Sequence, residues 1–143
     1  MTPPSISRRT GMLPLMAYPV SAGFPSPAQD EATEQLDIER LLIEHPAATF
    51  FWRVDGYSME GFGIHHGDFL VVDRSIPHAD GSIVIAILDG GFVVKQLIRR
   101  RDIVILRSAH PDYPEIRVGK EQDLVVWGVV RWSMHRVTGK TSR

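Results

Sequence analysis

Two apolar runs, Ser82 to Leu88 and Phe92 to Leu97, are separated only by Asp89-Gly90-Gly91. Asp-Gly accepts the left-handed backbone angles of a tight hairpin, so the pair predicts two antiparallel strands. The first run, Ser82-Ile83-Val84-Ile85-Ala86-Ile87-Leu88, does not alternate apolar and polar residues. Near-continuous apolarity is the pattern of a strand covered on both faces. Similar runs recur at Thr49–Asp55, at Phe69–Asp73 after the turn His66-Gly67-Asp68, at Ile103–Leu106 and at Leu124–Trp132. Several short strands joined by turns must close or fold over to bury both faces. The expected class is therefore mainly β, a folded-over antiparallel sheet with one short N-terminal helix and a flexible N-terminal arm. The helix is read over residues 37–45. Asp37 is its N-cap, Ile38, Leu41, Leu42 and His45 recur at helical spacing, and Pro46 stops it.

The first 34 residues do not read as packed structure. Pro3, Pro4, Pro14, Pro19, Pro25 and Pro27 each remove a backbone donor and bias the preceding residue toward extended geometry. The expected organisation is an arm over 1–34 and one β-rich domain over 35–143. In that arm Ala22-Gly23 is the least hindered point, and extended chain is what a protease cleft holds. The run Met12-Leu13-Pro14-Leu15-Met16-Ala17 follows Arg8 and Arg9 but is short and broken by proline, which argues against a secretion signal. No apolar run approaches the roughly 20 residues of a membrane span. There is no cysteine, hence no thiol nucleophile and no thiolate metal site. His65, His66 and His78 lack further ligands at a known spacing, so no metal and no cofactor is expected. Residues 99–143 hold ten bases against five acids. Arg99-Arg100-Arg101 could touch phosphate, although a solvated turn between strands explains them as well.

The chemistry lies at two places. Gly56-Tyr57-Ser58-Met59 ends a strand-like run, and 37 residues after Ser58 a single Lys95 interrupts the apolar strand Phe92–Leu97. Serine becomes a nucleophile when a base takes its proton, and a lysine is such a base only when neutral. Apolar surroundings disfavour the ammonium and lower a lysine's pKa. Ser58 as nucleophile and Lys95 as general base would form a catalytic dyad acting on the chain's own N-terminal segment. The backbone N–H groups of Ser58 and Met59 are candidates for the oxyanion site. Each motif alone has a plainer reading: Gly-x-Ser also describes a turn serine, and a strand lysine can snorkel to solvent.

Taken together the motifs say more. Gly23-Phe24-Pro25-Ser26-Pro27-Ala28, Leu41-Leu42-Ile43-Glu44-His45-Pro46, Gly56-Tyr57-Ser58-Met59, His66–Asp73 and Phe92-Val93-Val94-Lys95 closely resemble the LexA/UmuD-type self-cleaving serine peptidases. The resemblance runs from about Leu13 to Trp132. It implies the peptidase fold of that family, a Ser58–Lys95 dyad, and scission at Ala22-Gly23. It further implies a homodimer in the cytoplasm, activation by the RecA filament on single-stranded DNA, and a role in the SOS response. There the trimmed dimer would serve a UmuC-type translesion polymerase. Met12–Met16 occupies the place of a sliding-clamp contact, with Leu and Met in place of aromatic residues. Tyr57 stands where relatives carry an acidic or small polar residue and would alter the lining of the cleft edge. Fewer than 40 residues precede the sheet, so neither a helix-turn-helix nor sequence-specific DNA binding is expected. Two other readings remain: a non-catalytic dimeric polymerase-binding module with a vestigial dyad, and a secreted or membrane-linked Ser–Lys peptidase. The missing anchor counts against the second.

Overall fold

The computed structural model describes residues 11–28 and 31–139. Residues 1–10, 29–30 and 140–143, part of the expected arm among them, lie outside the described residues. The chain divides into two units, Met1–Glu44 and His45–Arg143.

In the first unit β1 (Met12–Met16) pairs antiparallel with β2 (Thr33–Asp37). This departs from an arm wholly without structure. Pro14 sits opposite Gln35, and a two-stranded ribbon admits proline because each strand has an outer edge where a missing donor is harmless. Every side chain of β1 is exposed, so hydrogen bonding rather than burial forms the ribbon. The ribbon encloses Ala22 and Gly23, both exposed and in a bend that Ser21 fastens by accepting from Gly23 N and donating to Phe24 O. α1 (Ile38–Leu42) follows, with Asp37 as N-cap accepting from Arg40 N at 3.1 Å. The helix ends at Leu42, short of the expected residue 45. His45 is instead recruited outside any helix: its Nδ1 lies 2.6 Å from Asp73. Pro46 opens a separate 3-10 turn, Pro46–Ala48.

The second unit holds β3 (Thr49–Arg53), β4 (Phe69–Asp73), β5 (Ile83–Leu88), β6 (Gly91–Arg100), β7 (Ile103–Arg107), β8 (Ile116–Val118) and β9 (Leu124–Met134). They form one antiparallel sheet in the order β3-β4-β9-β5-β6-β7-β8. The expected hairpin is present. Asp89 and Gly90 carry φ of 49° and 85°, and Leu88 pairs with Gly91, a two-residue turn. β8, too short and mixed to read from sequence, completes one edge. Neighbouring residues of β5 enter opposite cores: Ile85 packs with Val54, Met59, Leu70 and Val72, whereas Val84 and Ala86 pack with Leu97, Leu106 and Val129. That two-sided burial is why the run is continuously apolar.

The sheet is folded over. β3 and β6 are separated by three strands, about 19 Å in a flat sheet, yet the rings of Trp52 and Phe92 are 4.8 Å apart. Two register shifts bring this about: Val71/Val72 skips Arg131, and Ile85/Ala86 skips Trp127, so β9 bulges twice within five residues. Gly128 lies beside the second bulge, where a Cβ would sit 2.7 Å from Val72 Cγ1. The fold-over carries β6, and Lys95 with it, toward the loop that follows β3. Asp73 anchors the end of β4. Burial opposes its ionisation, but hydrogen bonds from the Ser75 hydroxyl, His45 and Ser75 N outweigh this and hold its pKa at about 2.

Candidate active site

Ser58 is placed by three restraints. Val54 N donates to Asp68 O and Gly67 N to Val54 O, which ties the end of β3 to the turn before β4. Gly56 then reverses the chain at φ 104°, a region open chiefly to glycine. Met59, 1% exposed, plugs the core directly after the serine. Beyond it the 3-10 turn Glu60–Phe62 locks onto the chain after β7, with Gly61 N donating to Ala109 O and Ala109 N to Ser58 O, both at 2.8 Å. Gly61 is a close-approach glycine: a Cβ there would lie 2.7 Å from Ala109 Cβ and 2.8 Å from Ala109 O.

β6 supplies the other partner. Val93 and Leu97 flank Lys95 on one face and pack in the second core. Lys95 is only 9% exposed. Its Nζ lies 3.0 Å from Ser58 Oγ and 2.7 Å from Ser108 Oγ. The Tyr113 ring centroid is 5.8 Å away. Among the described residues no ion pair involves Lys95. Burial without a counter-charge disfavours the ammonium, and the Lys95 pKa is accordingly pushed below 10.5. A neutral amine carries one lone pair and two N–H groups. It can give an N–H to Ser108 and take the Ser58 proton at the same time.

Ser58 and Lys95, paired on sequence grounds, are thus within hydrogen-bond reach. They open on a cleft of about 330 Å3 lined by Trp52, Val54, Leu70, Ile85 and Phe92 among others. Ala22 and Gly23 belong to the first unit, on its exposed loop. Tyr57 does not line the cleft; it stacks on His66 at 5.2 Å between ring centroids. Arg99 and Arg100 are engaged by Asp80 and the His78 carbonyl, and Arg101 forms the β6–β7 turn at φ 51°.

A profile described as Peptidase S24-like matches residues 14–131. The chain belongs to the Peptidase S24-like family. Among its S24-like relatives, Protein ImpA of Salmonella typhimurium is 44% identical over 123 residues, 86% of this chain and 83% of ImpA. Protein MucA of the same organism is 40% identical over 127 residues, 88% of this chain and 86% of MucA. The LexA repressor of Shewanella sp. (strain ANA-3) is 34% identical over 118 residues, which span 82% of this chain but 56% of the repressor. The family resemblance read from the sequence motifs therefore holds, as does the mainly β antiparallel fold. Among the described residues no helix is long and apolar enough to cross a membrane. Ser108 escaped the sequence reading of this S24-like chain. It is an ordinary serine just past a strand; the β6–β7 register, with Gln96 opposite Arg107, carries it to the lysine, and the backbone bridge between Ala109 and residues 58–61 ties that segment to Ser58.

Proposed function

We propose that this chain is a self-cleaving serine peptidase that cuts its own Ala22-Gly23 bond. The observation that supports this reading is a buried lysine without a counter-charge, 3.0 Å from the hydroxyl of Ser58. Neutral Lys95 takes the Ser58 proton as Oγ attacks the Ala22 carbonyl carbon. The N–H groups of Ser58 and Met59, which have no backbone acceptor among the described residues, receive the developing oxyanion. Lys95 then passes its proton to the Gly23 nitrogen as the C–N bond breaks, and water hydrolyses the acyl-enzyme. The bend at Ala22-Gly23 opens into extended chain for this step. Residues 1–34 are the arm that supplies the substrate, and 35–143 are the peptidase and dimerisation domain. The activity belongs to SOS mutagenesis, a reading that the S24-like relatives support. The RecA filament on single-stranded DNA would favour the docked arm, which raises the rate by positioning alone. The trimmed, cytoplasmic homodimer then serves as an accessory subunit of a UmuC-type translesion polymerase, and Met12–Met16, paired here as a strand, is the clamp-contacting segment before trimming.

The test is mass spectrometry of purified chain incubated across a pH series. Desolvation lowers the Lys95 pKa, so the neutral fraction and the cleavage rate rise with pH, by roughly tenfold per unit below that pKa. The expected product begins at Gly23, and Ser58→Ala gives none. Wild type and Ser58→Ala both remaining whole at every pH, with the activating filament present, would refute the proposal.

Ser108→Ala removes one of the two acceptors that aim the amine. Cleavage is expected to slow about tenfold, the effect of losing roughly 1.4 kcal/mol of positioning, while the product mass is unchanged. Single-turnover rates compared at one pH check this.

A further inference from the structure

We infer that His66 is a positioning residue for the nucleophile, holding the backbone immediately before Ser58 as a neutral hydrogen-bond acceptor. The inference rests on the Ser58–Lys95 reading and deepens it. Gly56 N donates to His66 Nδ1 at 3.0 Å. A nitrogen that accepts from an amide must carry its lone pair, which sets the tautomer protonated at Nε2. The same ring stacks on Tyr57 at an interplanar angle of 28°. One imidazole thus grips both residues between Asp55 and Ser58.

The base on which His66 stands is rigid. Its turn is held by Gly67 N to Val54 O, by Asp68 N to His65 O, and by His65 N to Asp68 Oδ2 at 2.8 Å. Asp68 is 2% exposed and is further bound by Ser133 Oγ and His135 Nδ1. The far side of Ser58 is fastened to Ala109. Among the described residues the segment Asp55-Gly56-Tyr57 has no comparable backbone bridge, apart from Tyr57 O accepting from Glu60 N at 3.3 Å. Gly56 at positive φ adds freedom that something must restrain, and His66 supplies that restraint.

Protonation would remove it. An imidazolium has two N–H groups and no lone pair, so Gly56 N–H and Nδ1–H would face each other. Among the described residues the charged groups around the ring are few. Asp55 Oδ1 lies 3.6 Å from Nδ1 on a fully exposed side chain. Asp68 is committed to His65, Ser133 and His135, and the His65 ring lies against His135, with centroids 4.4 Å apart. Lys95 is beyond Ser58 and engaged with its two hydroxyls. Cleavage should therefore need two neutral groups, Lys95 and His66.

Three chains test this. In wild type the acid side of the rate profile steepens from roughly tenfold to roughly a hundredfold per pH unit once both groups are protonated. In His66→Asn the amide oxygen still accepts from Gly56 but does not titrate, so the rate at alkaline pH stays near wild type and the profile keeps the shallower slope throughout. In His66→Leu cleavage falls about tenfold at alkaline pH, equivalent to about 1.4 kcal/mol. Independently, in Ser58→Ala protein the Gly56 amide resonance should move as acid protonates the His66 ring, and stay still once His66→Asn is added. A silent Gly56 amide, or a His66→Leu chain that cleaves at the wild-type rate and slope, overturns the inference. If wild type cleaves at no pH, the dyad reading falls, and the Gly56 titration still decides the contact.

Discussion

Lys95→Met should leave the 143-residue chain uncut while the fold becomes no less stable. Methionine matches the length and apolar body of the lysine stem but cannot accept a proton, so under the proposed mechanism cleavage falls by at least about a hundredfold, the range for loss of a general base. The stability effect runs the other way. Below its lowered native pKa, Lys95 is charged in both folded and unfolded chains, and the native state bears the full desolvation penalty. As pH rises from that lowered value toward 10.5, the native state releases its proton first and the penalty fades. The melting temperature of Lys95→Met should therefore exceed that of Ser58→Ala at neutral pH, with the gap closing toward pH 10. Calorimetry at pH 6, 7.5 and 9 alongside cleavage assays separates the two effects. A substitution that merely unfolded the domain would lower both readings together. If Lys95→Met were processed at the wild-type rate, the base would have to be another group.

Gly61→Ala should do what Lys95→Met does not, losing activity and stability together. The added methyl would stand 2.7 Å from Ala109 Cβ and 2.8 Å from Ala109 O. Neither is the tip of a flexible side chain, so the 3-10 turn and the 107–110 segment must part. That parting breaks the Gly61–Ala109 and Ala109–Ser58 hydrogen bonds and moves Ser108 away from Lys95. Overpacking of this kind costs about 1–3 kcal/mol, and a misplacement of about 1 Å at a catalytic group can cost about a hundredfold in rate. Chemical denaturation and cleavage rates should both shift. A Gly61→Ala chain with wild-type rates would show that the bridge is irrelevant to the placement of Ser58.

Much of the architecture is legible locally. The Asp89-Gly90 turn announces its hairpin because few other dipeptides accept two successive positive φ values. The apolarity of Ile83–Leu88 announces burial on both faces. Asp37 caps its helix as its side chain allows. The failures are non-local. The helix stops early because His45 is drawn to Asp73, 28 residues away. Met12–Met16 forms a strand because Thr33–Asp37 offers it a partner, although proline argues against it. Tyr57, expected at the cleft edge, turns to His66.

The chemistry of the candidate site divides in the same way. Sequence alone determined six of the seven strands of the second unit, because residue type and strand period act over a few neighbours, and the resemblance of its motifs pointed to the family and to Ser58 and Lys95 as the pair to examine. Tertiary structure alone decided how close the two side chains come, that Ser108 shares the lysine, that Gly61 must be small and that His66 braces Gly56. The first of these depends on the sheet folding across its own middle at the two bulges in β9, and the others on pairings between separate segments of the chain. That fold sets distances between residues tens of positions apart, which no local preference encodes.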